Sequence, residues 1–599
     1  MKKTDPAAIA ILSIMLILML GSAWNDSAIM DELAHIPAGY SYVTQADYRL
    51  NPEHPPLLKD LAGLSTLIFA HPYFPTGTTY WQDDVNGQWA QGAAFLYESG
   101  NNADKIIFWS RVPLMLLTIL FGFLLFLWTR KRLGSRTALL TLTFFAFSPT
   151  LLTHGRFVTT DIGAAFGFFI GIATLLAFLE NPSWRNVILA GAAFGIAELL
   201  KFSLVLLLPL YLIVIFAWVM TRPTMHTRER AALTGRLLGK TIIIGAVALS
   251  IIWGVYAFHT WNYPAERQAR DTQFLLGSYG LRTAVNLDLA LVRHPITRPL
   301  AQYILGILMV QQRAGGGNTA FFLGSVSGAG SRVYFPLLYL LKEPLAFHIL
   351  SLIALGYAVI STGKKKPHSL RALIENHFMG FSALSFIALY WAVSIKSPLN
   401  IGVRHVLPTF PFLYMLVAHG ITNWLRAHGI DEKTSWQGSL KNIYHLYIRP
   451  APKYILTGLL LLWLASDTIL AFPHFMPYYN ELAGGAAHGY EIAVDSNYDW
   501  GQDLKRLADF VRVNNIQKIA VDYFGGGSPR YYLGDRFEPW RSSRGAAHGY
   551  FAISISSREG AFGAAAPGFN RKPEDSYEWL KPFQPVANIG HSILVYNLP

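Results

Sequence analysis

Apolar residues run almost unbroken through long stretches of this chain, and polar residues gather between them. The stretches AIAILSIMLILML (8–20), LMLLTILFGFLLFLW (114–128), LVLLLPLYLIVIFAWVM (204–220), TIIIGAVALSIIW (241–253) and YILTGLLLLWLA (454–465) are spread over 599 residues. Several approach the roughly 20 residues that an α-helix needs to cross a hydrocarbon core of about 30 Å. With the polar breaks between them, the pattern predicts about eleven spans, near 7–23, 106–128, 137–153, 161–179, 187–201, 203–220, 241–258, 345–361, 376–395, 406–425 and 454–472. The first stretch follows Met-Lys-Lys as a signal peptide would. No clean small-x-small cleavage pattern comes after it, so a retained helix is expected. The fold class is a polytopic α-helical membrane protein.

Beyond residue 472 the period changes. GQDLKRLADFVRVNN (501–515) has the spacing of an amphipathic helix. QKIAVDYF (517–524), GYFAISIS (549–556) and HSILVYNL (591–598) read as strands, with Gly- and Pro-rich turns between them. Residues 473–599 are therefore expected to form a small α/β domain outside the membrane. The membrane domain, 1–472, carries its large outward loops at 24–104 and 259–343. No repeat of fixed period is visible.

Composition agrees with this reading. The chain is 52% hydrophobic and 14% charged, where soluble proteins carry about 25% charged residues. It has no cysteine, so neither disulfides nor thiolate metal sites are available. A formal charge of +13 raises the question of nucleic acid, but its placement answers it. TRKRLGSR (129–136), TRPTMHTRER…GRLLGK (221–240), TGKKKPH (362–368) and YIRPAPK (447–453) lie in alternate breaks. By the positive-inside rule these face the cytoplasm together with the N-terminus. The intervening loops and the tail then face outward, into the periplasm if the cell has two membranes, with the chain in the inner one. Membrane lipids, not nucleic acid, are the partner of these charges.

The candidate chemistry lies on the outward side. In MDELAHIPAGY (30–40), Asp31 and His35 are four apart and share a helical face, with Glu32 beside them. Asp31 is either a general base that takes a proton from a hydroxyl or amine, or an ordinary helix-start carboxylate. In NPEHPPLLKDL (51–61) three prolines stiffen the backbone around Glu53 and His54. Glu53, His54 and His35 are candidate ligands for a divalent cation, although no familiar metal spacing is present. Asp161 in HGRFVTTDIGAAF returns to the same face, as a second acid or as a helix N-cap. Lys59, Lys201, Lys342, Lys396, Arg404 and His405 bring cations to that level. They suit a lipid-linked phosphate, or equally anionic lipid headgroups. In the tail, Asp495, Asn497, Asp499 and Trp500 form a set that either contacts sugar or builds a loop and helix cap.

Other motifs do not qualify. QQRAGGGNTAFFLGSVSGAG (311–330) lacks the Gly-Lys-Ser/Thr of a phosphate loop and is expected to be a mobile loop. YFGGGSPRYYLG (523–534) reads as a strand-to-turn connection. No G-x-S-x-G elbow and no H-E-x-x-H occurs. Charged groups collected at one face, without inverted repeats, favour an enzyme over a lipid or sugar transporter.

MDELAHIPAGY, NPEHPPLLKDL, RFVTTD (156–161) and LNIGVRHVLPTFPF (399–412) together resemble the polyprenyl-phosphate-sugar-dependent glycosyltransferases of family 39. That group includes protein O-mannosyltransferases and lipid A aminoarabinose transferases. PYYNELAGGAAHGYEIAVDSNYDWGQDLKRL (477–507) is similar to the tail of bacterial membrane proteins placed in the same group. The resemblance implies a GT-C-like bundle with a catalytic cavity at the outer face. It implies Asp31 as catalytic base beside Glu32, and Asp161 as the second-loop acid. Lys59, Lys201 and Arg404 would hold the donor phosphate, with His405 beside them, and Glu53 and His54 match a segment that helps form a metal site in the aminoarabinose branch. The expected reaction moves a sugar from a polyprenyl-phosphate donor to the hydroxyl of a glycan, lipid or protein acceptor, with inversion. The compact tail differs from the MIR domain of eukaryotic O-mannosyltransferases, which leaves a protein acceptor in question. An oligosaccharide transferase with a diphosphate-linked donor is the nearest alternative, and the Trp-Trp-Asp motif of that branch is missing.

Overall fold

The computed structural model of the protein describes residues 4–222, 225–365, 369–426, 448–572 and 575–599. Parts of three basic breaks, at 223–224, 366–368 and Tyr447, lie outside the described residues. Among the described residues, eight helices are long and apolar enough to cross a membrane: Asp5–Ala23, Ala103–Leu133, Asp161–Glu180, Phe202–Met220, Thr227–His259, Leu345–Gly363, Phe378–Lys396 and Ala451–Leu470. The apolar stretch of Asp161–Glu180 is 78% buried, against 22–44% in the other seven. That helix is the centre of the bundle, and its N-terminal residue is a candidate acid.

Three expected spans fall on shorter helices. Around 137–153 the chain forms Ser135–Ala146 and Pro149–His154, broken where the Ser148 hydroxyl accepts the Leu151 N–H at 3.2 Å. Pro149 at the start of the second piece has a ring that suits a first helical turn. Around 187–201 the helix is Trp184–Glu198, 15 residues. Around 406–425 a 3₁₀ turn, Val403–Thr409, leads into Phe410–Leu425, 16 residues. At two of these breaks stand candidate residues: Lys201 after Trp184–Glu198, and Arg404 with His405 in Val403–Thr409.

The loop from 24 to 104 is itself structured. Its helices Met30–Gln45 and Leu57–Phe69 cross with almost no space between their backbones. A Cβ on Gly39 would stand 2.1 Å from the Lys59 carbonyl oxygen, and one on Gly63 would stand 2.2 Å from that of Gly39. Only glycine permits this approach, and it fixes the helix whose first turn holds Asp31 and Glu32.

In the tail, the strands β3 (Ile519–Asp522), β4 (Phe537–Pro539), β5 (Gly549–Ser554), β7 (Ala587–Ile589) and β8 (Ile593–Leu598) form a sheet in the order β4-β3-β5-β8-β7. β3 runs parallel to β4 and β5, and β8 runs antiparallel to β5 and β7. Leu504, Leu507 and Val511 of the helix Leu504–Val513 pack against Ile519, Val521, Ala552 and Val595 of the sheet. The tail thus holds a small α/β unit between Leu504 and Leu598.

The stretch 311–330 departs from expectation. The helix Arg298–Gly316 reaches into it, and β1 (Ala320–Phe322) and β2 (Ser325–Ser327) form a hairpin. β2 then pairs in parallel with β6 (Ala564–Ala565) of the tail, and the Leu323 N–H donates to the Ile492 carbonyl at 2.9 Å. The partners that order this segment lie some 165–240 residues further along the chain, so local composition alone suggests only a loop.

Candidate active site

Four candidate residues from distant parts of the sequence meet at one end of the central helix. Arg404 Nη1 donates to Asp31 Oδ2 at 2.9 Å and to Asp161 Oδ2 at 3.3 Å. Lys201 Nζ donates to Asp161 Oδ1 at 2.7 Å. Each stands where a helix starts or stops. Asp31 is in the first turn of Met30–Gln45, and Asp161 opens Asp161–Glu180. Lys201 is the extended residue before the turn Phe202–Leu206, and Arg404 lies in the turn Val403–Thr409. Helix ends are where side chains can converge without disturbing a hydrogen-bonded ladder.

The arrangement is asymmetric. Asp161 is 1% exposed, while Asp31 and Lys201 keep 24% and 15% of their side chains open. Asp161 is therefore spent on the two cations, while part of the Asp31 carboxylate stays open. The Arg404 guanidinium lies 4.2 Å over the Trp500 ring, and its buried Nε has no partner among the described residues. A guanidinium with an unspent donor suits an incoming phosphate oxygen. Gly402 turns the chain into this position at φ +141°, and a Cβ there would meet Ser496 Oγ at 2.2 Å.

His35 lies one turn beyond Asp31. Its Nδ1 donates to the Val158 carbonyl at 2.7 Å, leaving Nε2 as an acceptor. Burial holds His35 below the usual histidine range, with Asp31 pulling the other way, so it is neutral near pH 7. Burial and neighbouring cations hold His54 and His405 well below that range.

Other expected residues have different surroundings. Glu32 is completely buried, and Arg111 Nη2 and Nε donate to it at 2.6 and 2.8 Å. The Ile29 and Val158 N–H groups donate to it at 3.0 and 3.1 Å. Every lone pair that could meet substrate is spoken for, so Glu32 binds the start of its helix to the loop before Asp161. Lys59 Nζ has the Tyr42 hydroxyl, the Asn51 carbonyl, Asn51 Oδ1 and the His54 carbonyl within 2.8–2.9 Å. It knits the NPEHPP segment together and has no donor left for a phosphate; burial pushes its ammonium down to about 7. Lys342 is spent likewise on the Met476, Tyr478 and Asn497 carbonyls.

His35 and His54 do meet, with ring centres 5.0 Å apart. Glu53, however, accepts the Asn86 and Gln88 side-chain amides at 3.2 and 2.7 Å. Among the described residues, no three His, Cys, Asp or Glu side chains are placed to hold a metal ion. The expected trio does not make a ligand set.

In the tail, Asn497 accepts the Val403 N–H at 2.9 Å and donates to the Tyr334 hydroxyl at 2.9 Å. Asp499 accepts the Ser556 and Gly501 N–H groups at 2.8 and 3.2 Å. Both are fully buried, and Trp500 is nearly so. Of the four, Asp495 lines a cavity. Burial pushes its carboxyl up to about 6, while Arg404 pulls it down.

The sequence reading did not single out Arg111 or Asp26. Arg156 Nη2 donates to Asp26 Oδ2 at 2.7 Å and Arg506 Nη1 to Asp26 Oδ1 at 2.9 Å, which joins the first loop to the tail. A lone arginine inside the apolar run IIFWSRVPLMLL (106–117) was the available signal for Arg111.

The chain is a membrane glycosyltransferase. Through residues 8–264 it matches the model of the dolichyl-phosphate-mannose-protein mannosyltransferase family. The matched stretch holds Asp31, Asp161 and Lys201, while Arg404 and the tail lie beyond it. The chain is similar to the solved apo ArnT of Cupriavidus metallidurans, at 13% identity and a TM-score of 0.46 over 98% of this chain and 97% of that one. It is similar to the oligosaccharyltransferase of Archaeoglobus fulgidus, at 13% identity and 0.40 over 92% and 68%. It is also similar to the S. cerevisiae Pmt1-Pmt2 complex, at 15% identity and 0.31 over 44% and 34%. No curated protein matches the chain by sequence.

Proposed function

We propose that the protein transfers a sugar from a polyprenyl-phosphate donor to an acceptor hydroxyl at the outer membrane face, by a single inverting displacement with Asp31 as base. The observation that carries this is the Asp31–Arg404–Asp161–Lys201 cluster. It sets a partly open carboxylate directly beside two cations held by a buried one. A sugar phosphate with its isoprenoid tail among the apolar helices would present its phosphate to Arg404 and Lys201. The acceptor hydroxyl would give its proton to Asp31 as its oxygen attacks C1. The C1–O bond to phosphate breaks, and the electron pair leaves on the polyprenyl phosphate, whose charge the two cations stabilise. Attack opposite the leaving group inverts the anomeric centre. In this reading Glu32 and Lys59 are positioning residues. The basic clusters at the other end of the bundle support the outward orientation.

The transporter alternative gives way to the family match. A diphosphate-linked donor is separated by assay. Reconstituted protein is offered polyprenyl-phosphate mannose, glucose, galactose and aminoarabinose, with and without chelator, beside a diphosphate-linked oligosaccharide. The reading expects release of polyprenyl phosphate from one of the monophosphate donors and its loss in Arg404→Ala. Turnover of the diphosphate donor alone would contradict it.

A further inference from the structure

A cavity of about 420 Å³ opens between the β1–β2 hairpin and the tail sheet, next to the cluster just described. One wall is Phe321 and Val326 of the hairpin, and the other is Ser556, Ser557 and Asp522 of the tail. Asp495 and Asn400 form the end nearest the reaction centre. Asn400 lies four residues before Arg404, and the Asp495 carboxyl feels the charges of both Arg404 and Asp31. From this structure we infer that the cavity is the acceptor site and that it takes a neutral, polyhydroxylated ligand, the end of a glycan.

Three features of the lining carry this. Two buried donors have no partner among the described residues: Asn400 Nδ2, on a side chain 2% exposed, and Arg571 Nε. Both line the cavity, and an unpaired buried donor beside a void calls for an acceptor oxygen from a ligand. Asp522, held at 3.2 Å by the Ser557 hydroxyl and at 2.5 Å by that of Tyr577, offers acceptor positions near aromatic surface from Tyr577, Phe524 and Phe569. Hydroxyl, amide and carboxylate groups set among aromatic faces match a sugar, which has polar edges and apolar C–H faces. The charges, with Asp495, Asp522 and Asp575 against Arg541 and Arg571, favour neither a polyanion nor a polycation. The volume lies within the roughly 300–1,000 Å³ of small-ligand sites. The polar walls do not suit a lipid tail.

This inference rests on the transferase reading, and its test stands apart from that of Asp31. Full-length protein in nanodiscs is probed by saturation-transfer NMR with mannobiose, cellobiose and chitobiose, and with a neutral serine-containing hexapeptide. Variants are Ala561→Trp, which fills the cavity, and Ser543→Trp, which narrows its exposed rim without entering the core. Thermal midpoints confirm that each is folded. At least one disaccharide should bind with a Kd, read by titrating the signal, that rises about tenfold in Ser543→Trp, the equivalent of 1.4 kcal/mol of binding. No disaccharide signal, a signal that survives both tryptophans, or saturation of the peptide alone would overturn the inference. Normal turnover by Asp31→Asn with sugar binding intact would instead remove Asp31 as base and leave this site standing.

Discussion

Arg404 shows how one side chain can join two tasks. Its Nη1 reaches both Asp31 and Asp161, and its plane rests on Trp500, so position matters as much as charge. Lysine keeps the charge but cannot span two carboxylates and stack on an indole at once. Arg404→Lys should therefore lower kcat by about 10²–10³-fold, as loss of a preorganised donor does elsewhere, with membrane insertion unchanged. Near-normal kcat would mean that the site needs only a positive charge. At this scale the sequence was partly legible. Asp31, Asp161, Lys201 and Arg404 stood out as ionisable groups beside apolar runs. Glu32 and Lys59 looked equivalent to them, because sequence position does not reveal that Arg111 or four oxygens consume a side chain.

Among the elements, the crossing of Met30–Gln45 and Leu57–Phe69 fixes where Asp31 points. Gly63→Ala puts a methyl 2.2 Å from the Gly39 carbonyl oxygen and 2.4 Å from its carbon, where only backbone can yield. Overpacking of this sort costs about 1–3 kcal/mol or more. The variant should melt lower in detergent and lose turnover as the first helical turn shifts. Gly458→Ala, with nothing within 4 Å, should do neither. An unchanged Gly63→Ala protein would show that the crossing does not position the site. The long apolar elements were readable because a membrane demands length and hydrophobicity in one unbroken run. The helices at 135–154, 184–198 and 410–425 were placed correctly but proved short, and the 311–330 hairpin was missed because its strand partner is in the tail.

Across the whole molecule, the tail closes the site as well as adjoining it. The Ser27 and Met30 N–H groups donate to Gln502 and Trp500 carbonyls at 2.9 and 3.0 Å, so the tail fastens the residue before Asp31. Burial raises Asp499 to about 7 and Asp503 to about 6, despite the hydrogen bonds they accept. In the unfolded chain both titrate near 3.9. Between about pH 4 and pH 7 the folded protein thus holds more protons, and this contribution to stability falls as pH rises. Asp499→Asn copies the protonated form. Its thermal midpoint should change less between about pH 5.5 and about pH 7.5 than that of wild type. An identical slope would show that Asp499 does not titrate there. That the tail is an α/β unit was legible from its period; that its first thirty residues build the site was not, since those contacts are all long-range. The central claim is that Asp31 takes the acceptor proton. The most direct measurement compares kcat for release of polyprenyl phosphate by reconstituted wild type and Asp31→Asn, both shown to be inserted and folded. A loss of about 10²–10⁴-fold, the usual worth of a general base, with donor binding retained, is the expected result. Near-normal release by the asparagine variant would contradict it.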